Sequence, residues 1–211
     1  DARLEAARTI SGDLYDFIEL GGDNLLFAVG DVSGKGAAAA LYGAMVSGLL
    51  RTMAPAISRP GALLKALNDA LIPRRVHARY VTMMLAQWCP AEGILRLANS
   101  GGLPPLVLKK GQLVDATVEG VPLGLLPGRE YDELEIPLES GDLVLFFSDG
   151  IPDQTDWDEA EFGIDRIAQT LVRAQAHGVE EIADEVLNAV AEFAGGAGVF
   201  DDRTLIVVRV A

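Results

Sequence analysis

The chain has 211 residues, half of them apolar, and its net charge at pH 7 is −14. A chain of this length can bury a sizeable core, and no linker divides it, so we expect one domain over residues 1–211. The excess of negative charge argues against a nucleic-acid backbone and against an anionic membrane surface as partners. Because Cys89 is the one cysteine, an intramolecular disulfide is impossible, and we expect a cytoplasmic protein without a signal peptide or a membrane-spanning run.

The first third of the chain predicts a β-hairpin followed by two helices. Two apolar runs flank the turn-forming residues 21–24, which is typical of a hairpin. The glycine-rich stretch 30–36 predicts a turn, and the small and apolar residues after it favour a helix. Pro60 suits the first turn of a second helix. The predicted strands are 14–20 and 25–29, and the predicted helices are 37–53 and 60–71.

The rest of the chain predicts a block of strands, two amphipathic helices and a closing strand. The run 143–147 is continuously apolar, which is typical of a central strand. Because the strands come in blocks and do not alternate with helices, the predicted fold class is α+β. The predicted strands are 81–88, 94–98, 106–108, 113–114, 134–138, 143–147 and 204–210, and the predicted helices are 165–175 and 179–193.

Aspartates stand at the ends of apolar strands or in the turns beside them, at positions 13, 31, 149 and 201. Gathered carboxylates repel one another unless protons or cations relieve the repulsion. Oxygen ligands without histidine or cysteine favour Mg²⁺ or Mn²⁺, and a backbone carbonyl such as that of Val32 could join them. Taken alone, each aspartate is usually a turn residue, and the sequence pattern does not show that they meet in space.

A series of short motifs runs in a fixed order through nearly the whole chain. The motifs are SGDLYDF at 11–17, GDVSGKG at 30–36, NSGGLPPL at 99–106, GLL at 124–126, FSDG at 147–150, EFG at 161–163 and DDRT at 201–204. By this ordered set the chain resembles the SpoIIE/RsbU-type branch of the PP2C (PPM) protein phosphatases. No single motif is decisive, but the set is highly specific.

The resemblance implies an α/β/β/α sandwich, in which two central antiparallel sheets are flanked by helices and hold two divalent cations, Mn²⁺ or Mg²⁺, at one edge. By motif match, Asp31 would bridge both cations and the carbonyl of Val32 would bind one of them. Asp149 and Asp201 would bind the other, and Asp13 would support the site directly or through water.

The resemblance also implies an activity and partners. A water activated by the cations would hydrolyse phosphoserine or phosphothreonine on a signalling protein. The implied substrate is a phosphorylated anti-sigma-factor antagonist of the STAS type. The helices over 37–71 would act as a switch moved by a sensor or receiver domain outside this chain, and a homodimer is left open.

Departures from the family pattern keep other functions open. Gly102 stands where relatives usually have histidine, which favours a phosphatase-like module that binds a partner without turnover. A hydrolase of small phosphoesters is a third possibility. Larger PP2C enzymes carry a histidine shortly after the bridging aspartate, whereas Val32 and Ser33 follow Asp31 here, in agreement with the SpoIIE/RsbU branch. After Gly150 the chain reads Ile-Pro-Asp-Gln, where the family more often has a valine-threonine-glutamate-like stretch. Asp202 is a weaker ligand candidate than Asp201.

Several other residues resemble functional groups but are better explained otherwise. The glycine spacing of 30–36 does not match a nucleotide-binding P-loop, and Lys35 is expected to be solvated. Arg8 could orient a phosphate through its guanidinium group. His77 and His177 lie in polar segments and are expected at the surface, and Cys89 is expected to be a packed residue.

Overall fold

The computed structural model of the protein describes residues 1–7, 11–57, 59–74 and 79–211. The chain divides into two compact units: unit 1 comprises 1–9, 105–115 and 139–211, and unit 2 comprises 10–104 and 116–138. Each unit contains one five-stranded antiparallel sheet. The prediction of one domain over residues 1–211 is not tested by this division and stays a prediction.

The elements are numbered here in chain order. The strands are β1 (Ala2–Glu5), β2 (Asp13–Glu19), β3 (Leu25–Val32), β4 (Val81–Cys89), β5 (Ile94–Asn99), β6 (Leu106–Lys109), β7 (Gln112–Val114), β8 (Glu133–Pro137), β9 (Leu143–Phe147) and β10 (Arg203–Arg209). The helices are α1 (Ala37–Met53), α2 (Pro60–Leu71), α3 (Ile164–Ala174) and α4 (Val179–Ala194), and short 3₁₀ turns follow α1 and α2 at Ala54–Ala56 and Ile72–Arg74.

Unit 2 is built around the sheet β2-β3-β4-β5-β8, against which α1 and α2 pack. The buried residues of each helix recur every three or four positions and therefore lie on one face. These two faces and the apolar residues of β2, β3 and β4 form one core. The helices contribute to it Ala39, Tyr42, Val46, Leu50, Leu63, Leu64, Leu67 and Leu71.

An ion pair ties the last turn of α1 to β2. The carboxylate of Asp16 contacts the guanidinium group of Arg51, with 2.7 Å between Arg51 Nε and Asp16 Oδ2. Asp16 is buried and also accepts a hydrogen bond from the backbone N–H of Phe17. Because a buried carboxylate needs such partners, the second aspartate of the 11–17 motif serves to fix α1 on the sheet.

Unit 1 is built around the sheet β1-β10-β9-β6-β7, and α4 packs on β10. All residues of β9 and the first five residues of β10 are buried, as expected for central strands. The helices α3 and α4 contact each other and bury apolar residues at helical spacing. Those residues include Ile167, Leu171, Ala174, Ile182, Val186 and Val190.

The sequence pattern located most of these elements correctly. The helices predicted over 37–53 and 60–71 and the strand predicted over 143–147 have those bounds. Apart from the second strand of the hairpin, the other predicted elements are present with ends that differ by one residue. The α+β class is therefore confirmed at the level of the elements.

Two predictions near the start of the chain were wrong. The short strand β1 was not expected, and it exists because it pairs with β10. The stretch 30–36 was predicted to be a turn, but β3 continues to Val32, which pairs with Val81 of β4. A Cβ at Gly30 would lie 2.7 Å from the carbonyl oxygen of Thr82, so this glycine permits a close approach between strands.

One helical stretch meets the length and composition criteria for a membrane span. Ala37–Ala56 is long and apolar enough to cross a bilayer, so the expectation that the chain has no such run was wrong. The buried face of α1 belongs to the core of unit 2, and core helices of globular proteins meet the same criteria.

Replacing Leu64 by alanine should destabilise the protein strongly. Leu64 is 0% exposed, so the substitution leaves a cavity in the core, and we expect the free energy of unfolding to fall by about 2–5 kcal/mol. Leu41→Ala on α1 is the matched control, because Leu41 is 73% exposed and its loss should change that free energy by less than about 0.5 kcal/mol. Urea unfolding measures both, and equal effects would contradict this packing.

Candidate metal centre

The hairpin of unit 2 brings two of the predicted aspartates together. Asp13 and Asp31 are direct partners in the register of β2 and β3, so their side chains leave the same face of the sheet. Asp13 is 8% exposed and Asp31 is half-buried. Like charges directly opposite each other on antiparallel strands are destabilising. A cation bound at this end of the hairpin would therefore reduce the repulsion between the two carboxylates.

Because Gly12 has no side chain, a space remains beside it that oxygen atoms surround. A Cβ at this position would lie 3.1 Å from Asp31 Oδ1, 3.4 Å from the Val32 carbonyl oxygen and 3.6 Å from the Gly34 carbonyl oxygen. The carboxylate of Asp31 and the carbonyl of Val32, which the sequence predicted as ligands, thus converge beside Gly12. Carboxylate and carbonyl oxygens are the donors that Mg²⁺ and Mn²⁺ prefer, so this donor set fits such an ion.

Hydrogen bonds fix the loop that follows Asp31 and Val32. The backbone N–H of Ser33 donates to the Tyr80 carbonyl (3.0 Å), and the N–H of Tyr80 donates to Ser33 Oγ (2.9 Å). The guanidinium group of Arg79 donates to the Ser33 carbonyl (2.6 Å) and lies where a Cβ at Gly34 would be. Arg79 was not predicted as a site residue, because nothing in the sequence connects it with a loop more than forty positions earlier.

In unit 1, Asp149 and Asp201 line one small cavity. Its volume is about 100 Å³, and its walls also include Gly150, Asp153, Gln154 and Phe200. The prediction that Asp149 and Asp201 share a site is consistent with this cavity. Asp153 was not predicted as a site residue. Its spacing from Asp149 could have indicated that the two residues lie close together. In the structure they are one turn apart, and the N–H of Asp153 donates to the carbonyl of Asp149 (2.9 Å).

The turn after β9 is held tightly against the start of β10. The backbone N–H of Ser148 donates to the Thr204 carbonyl (3.0 Å), and the N–H of Thr204 donates to Ser148 Oγ (2.9 Å). Gly150 is required at this point, because a Cβ there would overlap the carbonyl oxygen of Asp202. The backbones that carry Asp149 and Asp201 are therefore fixed next to each other.

The charges around this cavity repel one another. The pKa of Asp153 is raised by partial burial and then by the negative charges of Asp149, Glu161 and Asp201. A divalent cation would relieve that repulsion, so the acidic donor set of this cavity fits a hard ion. Within the ranges that the structure describes, no three His, Cys, Asp or Glu side chains already lie at ligand distance from one point.

The predicted ligands thus fall into two sets, each inside one unit. Asp13, Asp31 and Val32 meet in unit 2, and Asp149 and Asp201 meet in unit 1. That both sets serve one pair of cations stays a prediction. Asp202, the weaker candidate, accepts a hydrogen bond from the backbone N–H of residue 7 through Oδ1 (2.8 Å), which gives its side chain a structural partner.

The remaining candidates have ordinary surroundings. Lys35 is exposed, and His177 is an exposed residue that contacts Glu185. Cys89 is buried and accepts a hydrogen bond from Arg96 (2.8 Å), and burial raises the pKa of its thiol. Positions 8 and 77, singled out in the sequence as Arg8 and His77, lie outside the described residues.

Gly102, at the position where the family usually has histidine, lies in a loop that is closed without a side chain. Its N–H donates to Asn99 Oδ1 (2.8 Å), and Asn99 Nδ2 donates to its carbonyl (2.9 Å) and to that of Val118 (2.9 Å). The folding of this loop therefore depends on Asn99 and tolerates glycine at position 102.

The sequence of this chain is similar to that of known proteins. The family model described as Stage II sporulation protein E (SpoIIE) matches residues 21–211. Phosphoserine phosphatase RsbU of Bacillus subtilis is 28% identical over 147 residues, which are 69% of this chain and 44% of that protein. The match to this chain covers 24% to 44% of the length of three curated relatives, RsbU among them.

Solved structures share the fold at low sequence identity. The SiaA-PP2C domain of Pseudomonas aeruginosa aligns with 100% of this chain and 85% of its own, with a TM-score of 0.90 and 21% identity. RsbX in complex with magnesium aligns with 100% of this chain and 94% of its own, with a TM-score of 0.75 and 16% identity. The predicted PP2C-like fold class is therefore confirmed.

Replacing Gly12 by alanine should weaken metal binding. The new methyl group would lie against Asp31 Oδ1 and the Val32 carbonyl oxygen, so we expect the affinity for Mn²⁺, measured by isothermal titration calorimetry, to fall roughly tenfold. Gly21→Ala in the same hairpin is the control, because among the described residues, its two chain neighbours apart, no atom lies within 4 Å of a Cβ there. An unchanged affinity in Gly12→Ala would remove this space from the metal centre.

Proposed function

The chain belongs to the SpoIIE family, and from that premise we propose that it is a metal-dependent phosphatase of phosphoserine and phosphothreonine in proteins. The observation that carries the proposal is the convergence of Asp31 Oδ1 and the Val32 carbonyl oxygen beside Gly12. This convergence supplies hard oxygen donors at the position where the family motif puts its bridging aspartate. The similarity to a phosphoserine phosphatase, RsbU, supports the same activity.

Two divalent cations, Mn²⁺ or Mg²⁺, are the proposed cofactors. Asp31 would contact both ions, and the Val32 carbonyl would bind one of them. Asp149 and Asp201 would hold the other, and Asp13 would support the site. Support for this assignment comes from the all-oxygen donor sets in both units and from the magnesium complex of the structurally similar RsbX.

The residues of the chain divide the chemical work in a simple way. When bound, the cations supply a water of lowered pKa and positive charge for the phosphoryl oxygens. Asp31 and Asp149 would hold the cations, and the hydrogen bonds of Ser33 and Arg79 keep the loop with the Val32 carbonyl in place. Because Val32 and Ser33 stand directly after Asp31, where larger PP2C enzymes carry a histidine, solvent would provide the proton for the departing seryl or threonyl oxygen.

We propose that the substrate is a signalling protein, namely a phosphorylated anti-sigma-factor antagonist of the STAS type. The family resemblance supports this class of substrate. The chain matches only 24% to 44% of the length of its curated relatives, which supports a sensor or receiver domain in the whole protein. A cytoplasmic location is proposed from the single cysteine, which suits reducing surroundings, and a homodimer stays a prediction.

Removing the negative charge of Asp31 or of Asp149 should nearly abolish turnover. Asp31→Asn and Asp149→Asn keep the shape of the side chain but lose its charge, so we expect the rate of phosphate release with Mn²⁺ to fall by about 100-fold or more. Asp158→Asn, at an exposed aspartate outside the cavity, is the control and should be fully active. A normal rate in either test variant would exclude that residue from the site.

The nature of the substrate can be tested with the wild-type chain alone. We expect Mn²⁺-dependent release of phosphate from a phosphorylated antagonist protein to be at least about 100-fold more efficient, by kcat/KM, than release from free phosphoserine. Comparable efficiency on both would indicate a hydrolase of small phosphoesters. Binding of the phosphoprotein without turnover under any metal would indicate the binding module that Gly102 favours.

A further inference from the structure

Gln154 is a buried polar residue at the wall of the cavity that Asp149 and Asp201 share. It is 2% exposed, and its amide is fully occupied. Nε2 donates to the carbonyl of Thr155 (2.8 Å) and to the carbonyl of Gly198 (3.2 Å), and Oε1 accepts from the guanidinium group of Arg203 (2.5 Å). One side chain therefore joins its own segment of unit 1 to the Gly198 carbonyl and to Arg203 at the start of β10.

Arg203 determines which way the amide of Gln154 points. A guanidinium group has donors and no acceptor, so only the oxygen of the amide can face it. The amino group must then face the two carbonyls. Arg203 is itself 5% exposed, and a carboxylate oxygen of Glu5 lies 3.5 Å from its Nη1. This buried cation is therefore a fixed support behind the wall of the cavity.

The joined segments carry the acidic residues of the cavity. Asp149 and Asp153 lie in the turn 149–153 directly before Gln154, and Asp201 lies between Gly198 and Arg203 in the chain. The stretch 195–200 forms no helix or strand, so a hydrogen bond to the Gly198 carbonyl restrains a segment with little regular structure of its own. Because the acidic groups repel one another, such restraints decide how far apart they stand.

We infer that Gln154, oriented by Arg203, is a positioning residue that sets the spacing of Asp149, Asp153 and Asp201 and thereby the affinity of this cavity for a divalent cation. The inference rests on the proposed function, since it concerns the same metal centre. Gln154 touches no reacting atom. It acts through the backbone segments that carry the acidic ligands, as residues behind a metal site commonly do.

Gln154→Met tests the inference, because methionine has nearly the same length and makes none of the three hydrogen bonds. We expect the dissociation constant for Mn²⁺, measured by calorimetry, to rise about tenfold, while kcat at saturating Mn²⁺ changes far less. Hydrogen exchange should become faster at residues 196–202 and stay unchanged in α3 and α4. The control is Gln175→Met in the same unit, whose amide donates to the Val172 carbonyl away from the cavity. It should leave Mn²⁺ affinity unchanged.

Gln154→Asn provides a milder variant if methionine prevents folding. The shorter amide keeps a buried polar group but cannot reach all three partners, so an intermediate loss of Mn²⁺ affinity is expected. A folded variant that loses thermal stability but keeps its Mn²⁺ affinity would overturn the inference. The proposed function would still stand if the wild type is active. A wild type that neither binds Mn²⁺ nor releases phosphate would overturn the proposed function and this inference with it.

Discussion

Repulsion among carboxylates is the constraint on which both parts of the candidate metal centre depend. In unit 2, Asp13 and Asp31 oppose each other across a strand pair, and in unit 1, Asp149, Asp153 and Asp201 surround one small cavity. A chain with a net charge of −14 has no surplus of cations to neutralise them. The fold holds these groups close through backbone hydrogen bonds, which do not depend on charge. The repulsion that remains is what favours a divalent cation.

Two glycines matter to the candidate metal centre as much as its acidic residues do. At Gly12, oxygen atoms surround the space that a Cβ would fill, and at Gly150 the carbonyl of Asp202 occupies that space. A methyl group at either position would either separate the donors or force the turn after β9 away from β10. These glycines are therefore part of the site, although they offer no functional group of their own.

The sequence predicted local structure and the identity of the acidic residues, because both depend on short-range patterns. Apolar spacing and Pro60 predicted α1 and α2, and the ordered motifs singled out Asp31 and Asp149 as candidate ligands. What it could not predict depends on long-range pairing. The strand β1 exists through its pairing with β10, and Arg79 reaches the loop after Asp31 only because β3 and β4 are neighbours. Asp153 is the intermediate case, since its spacing was visible but its cavity was not.

In the role inferred for them, Gln154 and Arg203 keep the acidic residues in place before a cation binds. A carboxylate behind the acidic residues would have added to their repulsion, and an apolar side chain would have left the carbonyls of Thr155 and Gly198 without this donor. An amide satisfies both requirements, since it is neutral and has both a donor and an acceptor. The guanidinium group then adds a positive charge behind the acidic wall without lining the cavity itself. Preorganisation of this kind lowers the cost of bringing the ligands together when a cation binds.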